Sequence, residues 1–342
     1  MRPFIVRRAT LFVLVSAAVA LTPRRASAQP SSLTLQWEND VLFRSDDDYT
    51  NGLRVSADFS KALWWKRWGL GHKNCSDETD SSTPCLRTTL MFGQNFYTPH
   101  DITVKRVQER ERPYAAWLYG GFAGRVATEK RLTSVELQIG TTGKPALGKQ
   151  VQTWFHRLVD SPIPKGWRNQ VKPVPGLVGI VASWDDKFAH EKTTAGRHLV
   201  YADAIPYYRV TVGNVFTNVA VGTTVRYGYN VQRNWTEKIG PTFRVASTKP
   251  ARPLDKPRGF VNVFAGLEAR AIAWNALLQH DTYTPRRLPS IARSVADFEA
   301  GVQAGFGWFS GGFRYVWRSP EFDGARVSKF NGLFITFGAT GP

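Results

Sequence analysis

Gln152 and His156 have the residue types and the spacing for proton-transfer chemistry. They stand four apart in a segment, 148–159, where Val151, Phe155, Leu158 and Val159 recur at helical spacing. A helix there puts the amide and the imidazole on one face. A neutral imidazole so placed can take a proton from water. A lone histidine is also a common structural residue, and His72, His100, His190, His198 and His280 have no comparable setting. A second set gathers hard oxygen donors of the kind calcium takes: Glu38, Asn39 and Asp40, then Asp46, Asp47, Asp48, Tyr49, Thr50, Asn51 and Gly52. The same residues equally suit a solvated acidic hairpin with Asn-Gly turn chemistry. No Gly-x-Ser-x-Gly pattern points to a serine nucleophile. Cys75 and Cys85 sit close together in a polar stretch and are candidates for one local disulfide in an oxidising compartment. A nucleophilic cysteine is the alternative, with His72 the nearest imidazole, and a zinc site has no better support.

The elements that must position these groups are read from period-2 patterning, which recurs along the chain with turn-rich gaps between segments. Leu33, Leu35 and Trp37 alternate with Thr34, Gln36 and Glu38. Val135, Leu137 and Ile139 alternate with Ser134, Glu136 and Gln138, and Val261, Val263, Ala265 and Leu267 with Asn262, Phe264, Gly266 and Glu268. About twelve strands follow, the even number that single-chain bacterial barrels use. They fall near 32–39, 50–60, 86–94, 114–124, 132–142, 175–184, 206–213, 217–227, 259–271, 294–306, 309–318 and 330–338. Alternation alone also fits a soluble sandwich. Aromatic residues near strand ends favour a membrane barrel with aromatic girdles: Trp37, Trp64, Trp65, Trp68, Trp117, Tyr119, Trp308, Tyr315 and Trp317. The expected fold is therefore all-β, a transmembrane antiparallel up-and-down β-barrel with a short helix in an extracellular loop.

Arg2, Arg7 and Arg8, the apolar run over 9–21 and Ala26-Ser27-Ala28 read as a signal peptide over 1–28. An N-terminal anchor is the rival reading, but the run is shorter than the roughly 20 residues a spanning helix needs. The expected organisation is a single barrel domain over 29–342. The formal charge of +18 loses five arginines and no acids with the signal, leaving +13. Such a balance suits a polyanionic partner. Export excludes nucleic acid from that role and leaves the anionic outer leaflet. With an N-terminus on the periplasmic side, strand parity sends the gaps 40–49, 95–113 and 143–174, which hold the polar motifs, to the extracellular end.

These motifs together resemble the outer-membrane lipid A 3'-O-deacylase family (LpxR-like). The resemblance runs through ENDVLFRSDDDYTNG, GQNFYTP, ERPYAAWLYGG, GKQVQTWFH, PKGWRNQ and GNVFTNVAVG, across nearly the whole mature chain. It implies a barrel in the outer membrane of a Gram-negative bacterium, calcium dependence, and removal of the 3' acyloxyacyl group of lipid A. Residue by residue, it implies that the family's Asn-Asp pair is Asn39 and Asp40, its motif threonine Thr50, its essential histidine His156 and a further active-site glutamine Gln152. The family's Asp-Arg-Pro-Tyr appears as Glu111, Arg112, Pro113 and Tyr114. The Glu that members place between the His and the Gly-Trp pair is replaced by Ser161, Pro162, Ile163 and Pro164. On this reading a calcium ion sits near Asp40 and Asn39, and Arg112, Lys105 and Arg106 are candidates for pairing with lipid A phosphates. A monomeric ester hydrolase is expected. The rivals are an outer-membrane phospholipase and a non-enzymatic porin or adhesin whose narrow interior is filled by Arg54, Asp58, Glu136, Arg226, Glu268 and Arg270.

Overall fold

The alternation in the sequence forces a choice between putting charge outward and putting it inward, and the backbone takes the second. The computed structural model describes residues 32–40, 48–59, 73–74, 85–127, 131–174, 179–188, 193–194, 200–229, 259–279, 290–306 and 309–338. The readings made on segment 1–28, on Asp46 and Asp47, on Trp64, Trp65, Trp68 and Trp308, on Cys75 and on the side chain of Cys85 lie outside the described residues.

In chain order the strands are β1 (Ser32–Asn39), β2 (Asp48–Phe59), β3 (Lys73–Asn74), β4 (Cys85–Thr98), β5 (Ala115–Ala127), β6 (Arg131–Thr142) and β7 (Gly179–Phe188). Then follow β8 (Thr193–Thr194), β9 (Val200–Gly213), β10 (Phe216–Tyr229), β11 (Phe260–Asn275), β12 (Ser294–Phe306), β13 (Phe309–Arg318) and β14 (Ser328–Gly338). Apart from the two-residue β3 and β8, each strand pairs antiparallel with its neighbours in sequence. The ring closes where β1 meets β14, from Ser32 opposite Gly338 to Asn39 opposite Asn331. It is continuous through β7, β9 and β10. Among the described residues twelve long strands thus form an up-and-down barrel in which each is paired on both sides.

The outward face is apolar. Val135, Ile139, Val219, Val221, Val261, Val263 and Leu267 are each about half exposed or more. In water this would be an apolar surface far larger than a soluble monomer carries; hydrocarbon is the solvent that accommodates it. No helix among the described residues is long and apolar enough to cross a membrane, so the strands are the crossing elements. On the same wall Phe298, Phe313, Tyr315 and Trp317 form a run of ring contacts with centroids 4.9–6.0 Å apart. Trp117 and Tyr119, expected in the girdle, instead point into the barrel. They are buried and stacked at 5.7 Å, and Trp117 Nε1 donates to Gln138 Oε1 at 3.2 Å. Their strand parity decides it, because Ala116 and Leu118 occupy the outward positions of β5.

The lumen is charged and paired. Arg54 meets Glu136 at 3.1 Å, Arg209 meets Glu268 at 2.9 Å, and Arg270 and Arg318 share Asp297 at 2.8 and 2.9 Å. Arg314 bridges Glu299, at 3.0 Å, and Glu38. Arg54, Asp58, Glu136, Arg226, Glu268 and Arg270 are all buried here. Toward the end that carries the loops 40–47, 99–114 and 143–178, an aromatic cluster of Tyr49, Tyr97, Trp117 and Phe330 fills the bore, and Val171, Val215 and Leu277 join it from the connections.

Candidate functional site

Helix α1 (Gly148–Leu158) does not stand over the mouth of the barrel; it lies against the outside of its wall. Trp37, on the outward side of β1, meets the Phe155 ring edge-on at 6.4 Å. Gln94, on the outward side of β4, donates to the Ala146 carbonyl at 2.6 Å, just before the helix. Gly148 sits so close to Trp167 and Ala116 that a Cβ would fall 2.4 Å from the indole and 2.8 Å from the Ala116 methyl. Glycine is the residue that lets the first turn of α1 touch the wall. Phe96, Tyr114, Ala116, Ala146 and Trp167 form the cluster beneath it.

The face of α1 turned to this wall carries Gly148, Gln152 and His156, all buried. The apolar residues Val151, Leu158 and Val159, whose spacing marks the helix in the sequence, are exposed, and Phe155 is only half-buried. Gln152 is held by Trp167, whose Nε1 donates to its Oε1 at 2.7 Å. The Gln152 amide nitrogen is buried and has no hydrogen-bond partner among the described residues. His156 Nδ1 lies 2.6 Å from the Pro162 carbonyl oxygen. A carbonyl can only accept, so Nδ1 carries the proton, and in the neutral ring Nε2 is the basic nitrogen.

On the wall itself a β-bulge selects which hydroxyl faces the helix side. Tyr49 pairs with Tyr97 and Asn51 with Phe96, leaving Thr50 as the extra residue in β2. The bulge turns Thr50 outward, where its hydroxyl meets that of Thr98 at 2.7 Å, while Tyr49 stays in the lumen. Asn39 closes β1 on the same outward side, opposite Asn51, and its Nδ2 donates to the Thr50 carbonyl at 3.1 Å. Asp40 follows at the strand end and is buried. Contacts link the two halves of the site. Gln152 bonds Trp167, Trp167 meets Phe96 at 6.3 Å, and Phe96 lies two residues from Thr98 on the same face. Glu38, one residue before Asn39, has the opposite parity and pairs with Arg314 inside the barrel.

The donors gathered at the end of β1 and β2 are hard oxygens: the Asp40 carboxylate, the Asn39 amide oxygen and the Thr50 hydroxyl. That chemistry fits calcium, which takes about 6–8 oxygen ligands. No group of three His, Cys, Asp or Glu side chains placed to hold a metal ion occurs among the described residues. A cation here would complete its shell from amide, backbone, water or substrate oxygens.

The basic candidates divide. Lys105 and Arg106 are exposed on a loop tied to the 160–170 segment: Asn169 Nδ2 donates to the Lys105 carbonyl at 2.9 Å, and Ile102 O accepts from Tyr114 Oη at 3.0 Å and from the Lys165 backbone at 2.8 Å. Asp101 anchors the loop; the Thr103 hydroxyl and backbone N–H, at 2.7 and 2.8 Å, hold its carboxyl below the usual carboxylate range. Arg112 is buried, stacks 4.2 Å over the Tyr97 ring and meets Glu321 at 3.4 Å, so its guanidinium is engaged inside the protein. Its neighbours Glu109 and Arg110 are exposed, and only the fold reveals that the chain turns inward at Arg112. Trp167 is the site residue whose part the spacing alone did not reveal; its place in the Gly-Trp pair was the available signal.

A family model described as outer membrane protein LpxR matches residues 9–337. LpxR from Salmonella typhimurium superposes with a TM-score of 0.71 at 21% identity, covering 90% of this chain and 100% of that one. The β domain of the Bordetella autotransporter BrkA covers 91% of this chain and 100% of its own at 9% identity, with a TM-score of 0.43. No curated protein sequence matches.

Proposed function

The chain belongs to the outer membrane protein LpxR family, and on that premise we propose that this outer-membrane β-barrel is a lipid A deacylase. In this reading it removes the 3' acyloxyacyl group by ester hydrolysis at the outward face of its wall, as a monomer. One observation carries the proposal: His156, with its proton held on Nδ1 by Pro162, lies on the wall-facing side of α1, and the wall that α1 packs on carries Asn39 and Thr50 outward. A lipid approaching in the plane of the membrane meets this seam without entering the lumen.

His156 Nε2 takes a proton from water, and the hydroxide attacks the ester carbonyl. Collapse expels the sugar oxygen, which recovers the proton from the imidazolium, giving a free acid and a sugar hydroxyl. Gln152, its oxygen fixed by Trp167, turns its amide N–H groups into the seam and orients substrate. A calcium ion bound at Asp40 and Asn39 would polarise the carbonyl and stabilise the negative charge that develops on its oxygen. Lys105 and Arg106, exposed beside the seam, would pair with the lipid A phosphates.

The test is mass spectrometry of lipid A from cells expressing the chain, beside His156→Ala and an empty vector. The expected result is loss of one acyloxyacyl mass only with the intact chain. In purified form the same comparison is run with calcium and with a chelator. Release of ordinary phospholipid acyl chains would identify a phospholipase instead. No release from matched lipid A in detergent with calcium would end the hydrolase reading. Filling of the lumen by ion pairs and aromatic rings speaks against a porin.

A further inference from the structure

The apolar residues of α1 that the wall does not use form a surface of their own. At roughly 100° per residue, Leu147, Val151, Trp154 and Leu158 align in one stripe along the helix. They are 45%, 36%, 55% and 52% exposed. The stripe is flanked on one side by the wall-facing Gly148, Gln152 and His156. Around the other side runs a polar face of Lys149, Gln150, Thr153 and Arg157. The helix therefore has three faces, and wall packing accounts for one. A helix with an apolar stripe, a basic polar face and little net hydrophobicity is built to lie in a membrane interface.

The stripe is also continuous with a surface already assigned to lipid. Phe155, beside it, packs on Trp37; on the outward side of β1 and β2 Leu53 stands opposite Trp37, and Leu35 and Val55 come below them. We propose that the stripe inserts among the acyl chains of the outer leaflet, with Lys149 and Arg157 at the phosphate level above it. This makes α1 an interfacial anchor that holds the seam between helix and wall at the depth of the acyl chains. The inference rests on the outer-membrane placement of the barrel and not on the hydrolase reading. The partner chemistry is a hydrocarbon layer beneath an anionic surface, which matches an apolar stripe bordered by cations.

The test uses the full-length chain folded into phosphatidylcholine vesicles with or without bromine on the acyl chains. Val151, Trp154, Thr153 or Gln150 is replaced singly by Cys in a Cys75→Ser, Cys85→Ser background and labelled with bimane. Insertion predicts that bromolipid quenches bimane at 151 and 154 about three-fold more than at 153 and 150, while aqueous iodide shows the reverse order. Equal bromolipid quenching on both faces overturns the proposal. So does shielding of 151 and 154 from iodide and bromolipid together, which would mean that protein, a second copy or another part of this chain, covers the stripe. Should the cysteine-free background fail to fold, Trp154→Phe in the otherwise unaltered chain asks the same question. The tryptophan emission lost must come from the fraction that bromolipid quenches, and loss from the unquenched fraction overturns the inference. None of these readouts depends on catalysis, so they stand apart from the lipid A assay.

Discussion

At the scale of single residues the site is a matter of orientation. His156 and Gln152 each have one atom committed to a structural partner, Pro162 O and Trp167 Nε1, and this turns the other atom to a defined side. Replacing His156 by Ala removes the proposed base and is expected to lower the rate by about 100- to 10,000-fold, the range of general acid–base catalysis. Folding should be unaffected, seen as unchanged heat-modifiable migration in gels. Trp167→Phe keeps the ring packing on Phe96 and Tyr114 but leaves the Gln152 oxygen without its donor. A buried acceptor so orphaned costs about 1–3 kcal/mol. Here it should appear as a lower kcat with the barrel's unfolding midpoint almost unmoved, because the strain falls on the loop. A variant with wild-type kcat would show that the indole N–H does not position Gln152.

At the scale of elements, the site is the seam between one helix and one stretch of wall, and Gly148 is the residue on which that docking depends. Gly148→Val would drive side-chain atoms into the Trp167 ring and the Ala116 methyl. Flexible loop structure yields more easily than a closed sheet, so α1 should lift while the barrel persists. The expected outcome is loss of most activity together with new protease cleavage within 143–178 and unchanged heat-modifiable migration. If cleavage and activity both stay as in the wild type, the helix does not need that contact. The strands were legible in advance because a period of two fixes the faces, and every predicted segment overlaps an observed strand. The helix was legible in place but not in facing. Val151, Leu158 and Val159 have the spacing of a packed face, yet in this protein the solvent for an apolar face is lipid, and the packed side goes to Gly148, Gln152 and His156. Asn39 and Thr50 were legible as oxygen donors, and only the family resemblance picked them out of that set. The bulge that turns Thr50 outward has no periodic signature, and nothing in the residues around Arg112 shows that it is buried.

At the scale of the whole molecule the barrel is an inside-out protein, with hydrocarbon outside and ion pairs within. That inversion decides both what stabilises it and what it cannot do. Arg314 joins β13 to Glu299 on β12 and to Glu38 on β1, which it reaches across β14, so its pairs tie the last strands of the chain to the first. Arg314→Met would take the shared guanidinium from two buried carboxylates, and removing one partner of a buried pair costs about 3–5 kcal/mol. The expected result is a clear drop in the urea midpoint of the folded barrel, larger than for Lys105→Met, whose side chain is exposed on the loop. Replacing the surrounding carboxylates as well, by Glu38→Gln and Glu299→Gln, should recover part of the loss, since it removes the uncompensated charge. The same packing closes the bore: charged pairs occupy the lumen, and Tyr49, Tyr97, Trp117, Phe330 and Leu277 cap the end beside the site. Planar bilayers containing the purified chain should therefore show no steady conductance, and Arg314→Met should not create one while the aromatic cap remains. A stable open level in the wild-type protein would mean that the cap moves aside, and the separation between a sealed interior and an outward-facing site would fail.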